Sequence, residues 1–171
     1  MGLDPQRARA HVASGDKWLR RALKDLPITA ADRMIDVGCG KGSAMKVMLE
    51  FPFSRVDGIE LGEPIAAIAR SNFRTLEVPP ERYAVITADA AEFTDLDQYT
   101  YVYFYNPFTA AVMSSFMANL KASVERSPRR VTIVYDNPLC HDAVVAGGVF
   151  RKLPRDYPDA TGNRIYVYSN E

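Results

Sequence analysis

A chain of 171 residues, 47% hydrophobic and 25% charged, has the composition of one soluble domain long enough to bury a core. Lys plus Arg and Asp plus Glu number 21 each, so no global field attracts a polyanion; this argues against a nucleic-acid partner, although a local basic patch stays open. There is no signal peptide and no apolar run of about 18 residues, and the two thiols, Cys39 and Cys140, have no metal-ligand spacing, which together read as a cytoplasmic protein without a metal centre or membrane span.

Strand and helix signals alternate along the chain. Leu19, Ala22, Leu23 and Leu26 recur at helical spacing, and Pro27 ends that helix. A strand is expected over 33–37, followed by a helix with Met45, Met48 and Leu49 on one face. The next strand runs over 54–59. A helix from Pro64 turns Ile65, Ile68, Ala69 and Phe73 inward. Pro79-Pro80 breaks the chain before a strand at 83–87. The run 99–105 is almost wholly aromatic and β-branched, as a buried central strand requires. A long helix carries Val112, Phe116, Leu120 and Val124, and a strand over 130–135 follows. The rhythm then changes. The runs 149–153 and 165–168 are separated by a turn-rich stretch with Pro154, Pro158 and Gly162, which reads as a hairpin. The expected fold is α/β, a doubly wound, mostly parallel seven-stranded sheet with helices on both faces and a C-terminal antiparallel hairpin. One domain is expected over 1–171, with 1–29 as a helical cover, including Trp18, and 30–171 as the core.

The sharpest local signal is Met34-Ile35-Asp36-Val37-Gly38-Cys39-Gly40-Lys41-Gly42, a strand ending in a glycine loop with a helix behind it. Such a loop lets a ligand lie directly against backbone. A dinucleotide fingerprint would need glycine at position 43, which is Ser43. The spacing D-x-G-x-G-x-G resembles instead the first motif of class I S-adenosylmethionine (SAM)-dependent methyltransferases, and the expected hairpin finish is similar to theirs. The resemblance covers residues 30–171. It implies SAM as cofactor, with the loop of Gly38, Gly40 and Gly42 against its methionine part and Asp36 holding its ammonium and the loop.

Open parallel sheets bind ligands at the carboxyl ends of their strands. Glu60 ends the second strand, where a carboxylate can accept two ribose hydroxyl hydrogens; Asp57 competes but falls inside the strand. The resemblance implies Asp89 for the adenine amino group and the Ala90 N–H for the ring nitrogen, while Asp89 reads equally as a helix cap. Tyr105-Asn106-Pro107-Phe108 resembles, one proline short, the motif of amine-directed methyltransferases. Carbonyls of Asn106 and Pro107 would orient an amine lone pair in line with the methyl group, and Phe108 would exclude water. Asp136 and His141, after the fifth strand, read either as a cation-binding carboxylate with a general base or as turn formers. Arg126, Arg129 and Arg130 lie at the opposite end and read as a solvated face.

The expected reaction is direct SN2 methyl transfer to an amine of a small molecule or protein side chain. Two alternatives stand beside it: a noncatalytic SAM-binding or interaction protein, and an NAD(P)-dependent oxidoreductase. Neutral charge and the lack of an inserted recognition domain leave a homodimer or a partner subunit open.

Overall fold

The computed structural model describes residues 16–105, 108–159 and 162–171. Strands β1 (Arg33–Val37), β2 (Arg55–Glu60), β3 (Tyr83–Thr87), β4 (Tyr101–Tyr105), β5 (Thr132–Asp136), β6 (Arg151–Pro158) and β7 (Arg164–Ser169) form one sheet. Its order is β3-β2-β1-β4-β5-β7-β6. All neighbours pair parallel except β7, which runs antiparallel to both β5 and β6. Chain order reverses between β1 and β4, and this reversal opens the crevice in which such sheets hold ligands.

Helices α1 (Asp16–Lys24), α2 (Ser43–Met48) and α3 (Glu63–Thr75) cover one face of the sheet, and α4 (Ala110–Arg126) and α5 (His141–Val145) cover the other. The period-two alternation of β4 serves both layers. Tyr101, Tyr103 and Tyr105 pack toward α1–α3, while Val102 and Phe104 pack toward α4. Phe104 meets Phe116 of α4 edge-on at 5.3 Å. The two cores therefore share the strands of the sheet, β4 as much as β1, β2, β5 and β7. None of the described helices is long and apolar enough to cross a membrane.

Three local departures from the sequence reading have clear causes. On α3 the inward residues are Ala66, Ala69 and Phe73, and Ile68 is 42% exposed. The helix lies so close to the sheet that two alanines fill the contact, and the pattern of large apolar residues alone misaligns the face by one position. The second departure is in β6, which continues through Pro154 to Pro158 where a loop was expected. As an edge strand it needs partners on one side only, so the missing proline N–H groups cost little; its register slips between Lys152 and Asp156. Third, Arg129 is half-buried rather than part of a solvated face. It donates to the carbonyls of Tyr99, Leu96, Ser123 and Ser127 at 2.6–3.3 Å, stapling the chain before β4 to the end of α4.

Candidate functional site

The glycine loop takes its shape from backbone that other residues cannot easily adopt. Gly38, Gly40 and Gly42 have φ of 85°, 55° and 86°. The N–H groups of Gly38 and Cys39 both donate to the Ile59 carbonyl of β2 at 2.9 Å, and the Gly42 N–H turns back to the Cys39 carbonyl at 2.9 Å. A Cβ on Gly42 would stand 2.7 Å from the Phe73 ring, so α3 packs directly on loop backbone. The Asn72 amide donates to the Lys41 carbonyl at 3.0 Å. Gly58 was missed by the sequence reading. A Cβ there would meet Met45 Sδ at 2.5 Å and Cys39 Cβ at 2.7 Å, and a glycine inside a strand is the signal that marks such a close approach.

Glu60, 5% exposed, braces the loop. Its Oε2 accepts the Gly40 N–H at 3.1 Å and its Oε1 accepts the Gly62 N–H at 2.9 Å. Each oxygen keeps a lone pair for a further donor. Asp57, the competing carboxylate, pairs in register with Ile35 and packs toward the other face. There it accepts the Tyr99 hydroxyl at 2.9 Å and Arg55 Nε at 2.7 Å.

Asp36 is 2% exposed, and its Oδ2 has no hydrogen-bond partner among the described residues. Burial, and secondarily the charge of Glu60, push its carboxyl up to about 8. An orphaned buried oxygen beside a glycine loop is what a cationic ligand group would satisfy. At the end of β3, Asp89 Oδ1 accepts the Ala91 N–H at 2.9 Å and so shapes its own turn, and Ala90 is buried. No helix follows β3, where a helix for Asp89 to cap was expected; the chain makes a turn there instead, and the Asp89 carboxylate holds that turn.

Of the β4 end, Asn106 and Pro107 lie outside the described residues. Phe108 is buried and packs edge-on to Phe104 at 6.4 Å, within the core on the α4 side. Its carbonyl accepts the Cys140 thiol at 3.8 Å. At the end of β5, Asp136 is 6% exposed and accepts the Tyr103 hydroxyl at 3.4 Å. Burial drives its carboxyl up to about 7, and the charge of Asp159 adds to the rise while the Tyr103 hydroxyl opposes it. Asn137 follows in the left-handed region at φ 52°, its N–H on the Arg164 carbonyl at 2.9 Å. His141 opens α5 with Nδ1 2.8 Å from the Tyr168 hydroxyl, so one of its ring nitrogens is already engaged.

The fold recurs in solved structures. An RNA methyltransferase from Salinibacter ruber, in complex with S-adenosyl-L-homocysteine (SAH), is similar at 18% identity and TM-score 0.66, over 92% of this chain and 93% of that one. The glycopeptide N-methyltransferase MtfA, complexed with SAM, is similar at 15% identity and TM-score 0.68, over 92% and 94%. A SAM-dependent methyltransferase from Aquifex aeolicus is similar at 14% identity and TM-score 0.68, over 88% of each chain. No family model and no curated protein matches the sequence. The chain therefore has the fold of SAM-dependent methyltransferases over nearly its whole length.

Proposed function

We propose that this protein is a SAM-dependent methyltransferase that transfers the methyl group to an amine nitrogen. The observation that carries the reading is the orphaned Oδ2 of buried Asp36, set beside three left-handed glycines at the switch point of the sheet. The residues present fit the cofactor. Asp36 would take its ammonium, the loop of Gly38, Gly40 and Gly42 its methionine backbone, the spare lone pairs of Glu60 its ribose hydroxyls, and Asp89 with the Ala90 N–H its adenine. Bound there, the cofactor supplies an electrophilic sulfonium methyl. The protein's share of the chemistry is positioning and exclusion of water. The resemblance of Tyr105-Asn106-Pro107-Phe108 to the motif of amine-directed methyltransferases supports nitrogen as the acceptor atom. The acceptor is a small molecule or a protein side chain. A nucleic acid is the second class to try, because one protein of similar fold acts on RNA and neutral net charge speaks only against a global field.

Calorimetric titration with SAH tests the reading. Micromolar binding, equivalent to about 8 kcal/mol, is expected for the wild type and is expected to be lost in Gly40→Arg. Absence of binding in folded wild-type protein, or tight binding of NADH instead, would refute it.

A further inference from the structure

The carboxyl ends of β1, β4 and β5 present a second feature on the face covered by α1–α3, distinct from the glycine loop. Asp36 of β1 pairs in register with Tyr103 of β4. Tyr103 pairs with Val134 of β5, and Tyr105 with Asp136. The alternation of each strand sets Asp36, Tyr103, Tyr105 and Asp136 on one side of the sheet. Tyr103 spans the row, adjacent to Asp36 and reaching Asp136 with its hydroxyl at 3.4 Å. Asp159, beyond the end of β6, acts on the same place. Its charge pushes up both the Asp136 carboxyl and the Tyr105 phenol. Its own Oδ1 is committed to the Asn163 N–H at 2.9 Å, which fixes the turn.

Among the described residues, no lysine or arginine forms an ion pair with either carboxylate of this row, Asp36 or Asp136; the ion pairs there involve Asp57, Glu50, Glu63, Asp97, Asp156 and Glu125. A carboxylate that is more than nine-tenths buried without a countercharge is unfavourable, and a bound cation offsets that cost. The row offers two such carboxylates, separated by tyrosine rings. Asp36 serves the cofactor's ammonium in the function proposed above. Asp136 then remains for a second cation, and tyrosine faces and hydroxyl oxygens are suited to one.

We infer that Asp136, with Tyr103 and Tyr105, forms the acceptor subsite, that it receives the amine as its ammonium, and that Asp136 takes the proton that must leave before methyl transfer. The inference rests on the methyltransferase reading. The bookkeeping closes without another reactant. One N–H bond of the ammonium breaks, leaving its electron pair on nitrogen, and the proton goes to the Asp136 carboxylate. That pair forms the new N–C bond to the methyl carbon as the carbon–sulfur bond breaks with its pair on sulfur. The N-methylammonium product departs, and Asp136 returns its proton to water. A carboxyl whose proton affinity is raised to near neutrality suits this exchange. An alcohol of the same shape would leave Asp136 without a countercharge.

The test uses full-length protein saturated with SAH, titrated calorimetrically at pH 8 with n-butylamine, phenethylamine and spermidine, and with n-butanol and phenethyl alcohol as neutral controls. Amine binding without alcohol binding is expected. Asp136→Asn is expected to weaken amine binding at least tenfold with SAH affinity unchanged, and Tyr105→Phe to weaken it less. With labelled SAM, Asp136→Asn is expected to regain part of its methylation rate at a pH where the free amine predominates, a rescue that a merely structural residue would not show. Three results would overturn the inference: no amine binds the SAH-loaded protein, amines bind Asp136→Asn as well as wild type, or Asp136→Asn loses SAH affinity, which would assign this carboxylate to the cofactor. Failure of the wild type to bind SAH at all is a separate outcome that removes the methyltransferase reading and this inference with it.

Discussion

The two ends of the crevice are built from different materials. On the β1–β2 side, backbone makes up most of the surface: glycines at positive φ, amides fastened to the Ile59 carbonyl, and Glu60 tying two loops together. On the β4–β5 side, side chains from separate elements converge, with Tyr103 and Tyr105 from β4, Asp136 from β5 and Asp159 from beyond β6. A backbone surface holds a ligand part that does not vary. A side-chain surface can be altered one residue at a time without disturbing the fold, as an acceptor site that differs between enzymes on one scaffold requires.

If that contrast is right, substitutions on the first side cost stability and cofactor binding together, and those on the second alter acceptor binding alone. The largest effect is expected for Gly42→Val. Left-handed backbone costs a β-branched residue about 1–2 kcal/mol, and driving a side chain into the Phe73 ring adds about 1–3 kcal/mol. Urea unfolding should show a loss of that size or failure to fold; an unchanged midpoint would mean that α3 does not clamp the loop. Arg129→Ala comes next. It strips donors from the Tyr99, Leu96, Ser123 and Ser127 carbonyls and is expected to cost about 2–3 kcal/mol in the same assay. SAH affinity should be unchanged, because this staple lies at the other end of the sheet.

Glu60→Gln is expected to cost about 1 kcal/mol of stability, since the amide oxygen still accepts one of the two loop N–H groups while its NH2 opposes the other. SAH affinity should fall about tenfold, equivalent to about 1.4 kcal/mol. Full affinity in this variant would remove Glu60 from the cofactor site.

The pH response offers a gentler probe. The Asp36 carboxyl sits near 8 in the folded protein against an ordinary 3.8, raised first by burial and then by Glu60. Folded protein therefore keeps a proton that the unfolded chain releases above about pH 4. This group's contribution to stability is fully present below about pH 4 and is lost as pH rises through 8. Asp136, near 7, adds a slope of the same sign over a narrower window. Asp36→Asn should flatten the decline between pH 4 and 8, read as unfolding midpoint against pH; an unaltered slope would show that Asp36 ionises normally. The smallest effect is expected for His141→Phe, which loses one hydrogen bond to Tyr168 and should shift stability by about 1 kcal/mol with SAH binding unchanged.

What was legible in the sequence follows the same division. The central strand β4 is a nearly continuous apolar and aromatic run, because both of its faces are covered, and the alternation of strand and helix signals identifies the sheet. The glycine loop is readable because positive φ and close approach demand glycine at fixed positions. Gly58 obeys the same rule within a strand. Asp36, Glu60, Asp89 and Asp136 are each visible as polar residues at strand ends. Their relations to one another are not visible: that Glu60 holds Gly40, that Asp57 turns away to Tyr99, and that Tyr103 reaches Asp136, a separation of 33 in sequence.

The sequence by itself determined the periodicities, the turns and the loop that only glycine can make, because these depend on steric limits acting within a few residues. Tertiary structure decided which carboxylates are ion-paired or hydrogen-bonded and that Asp36 Oδ2 has no partner among the described residues. That outcome depends on the register of β1, β4 and β5, on burial in two separate cores, and on a low-dielectric interior that raises or relieves the cost of each charge according to neighbours brought from far along the chain.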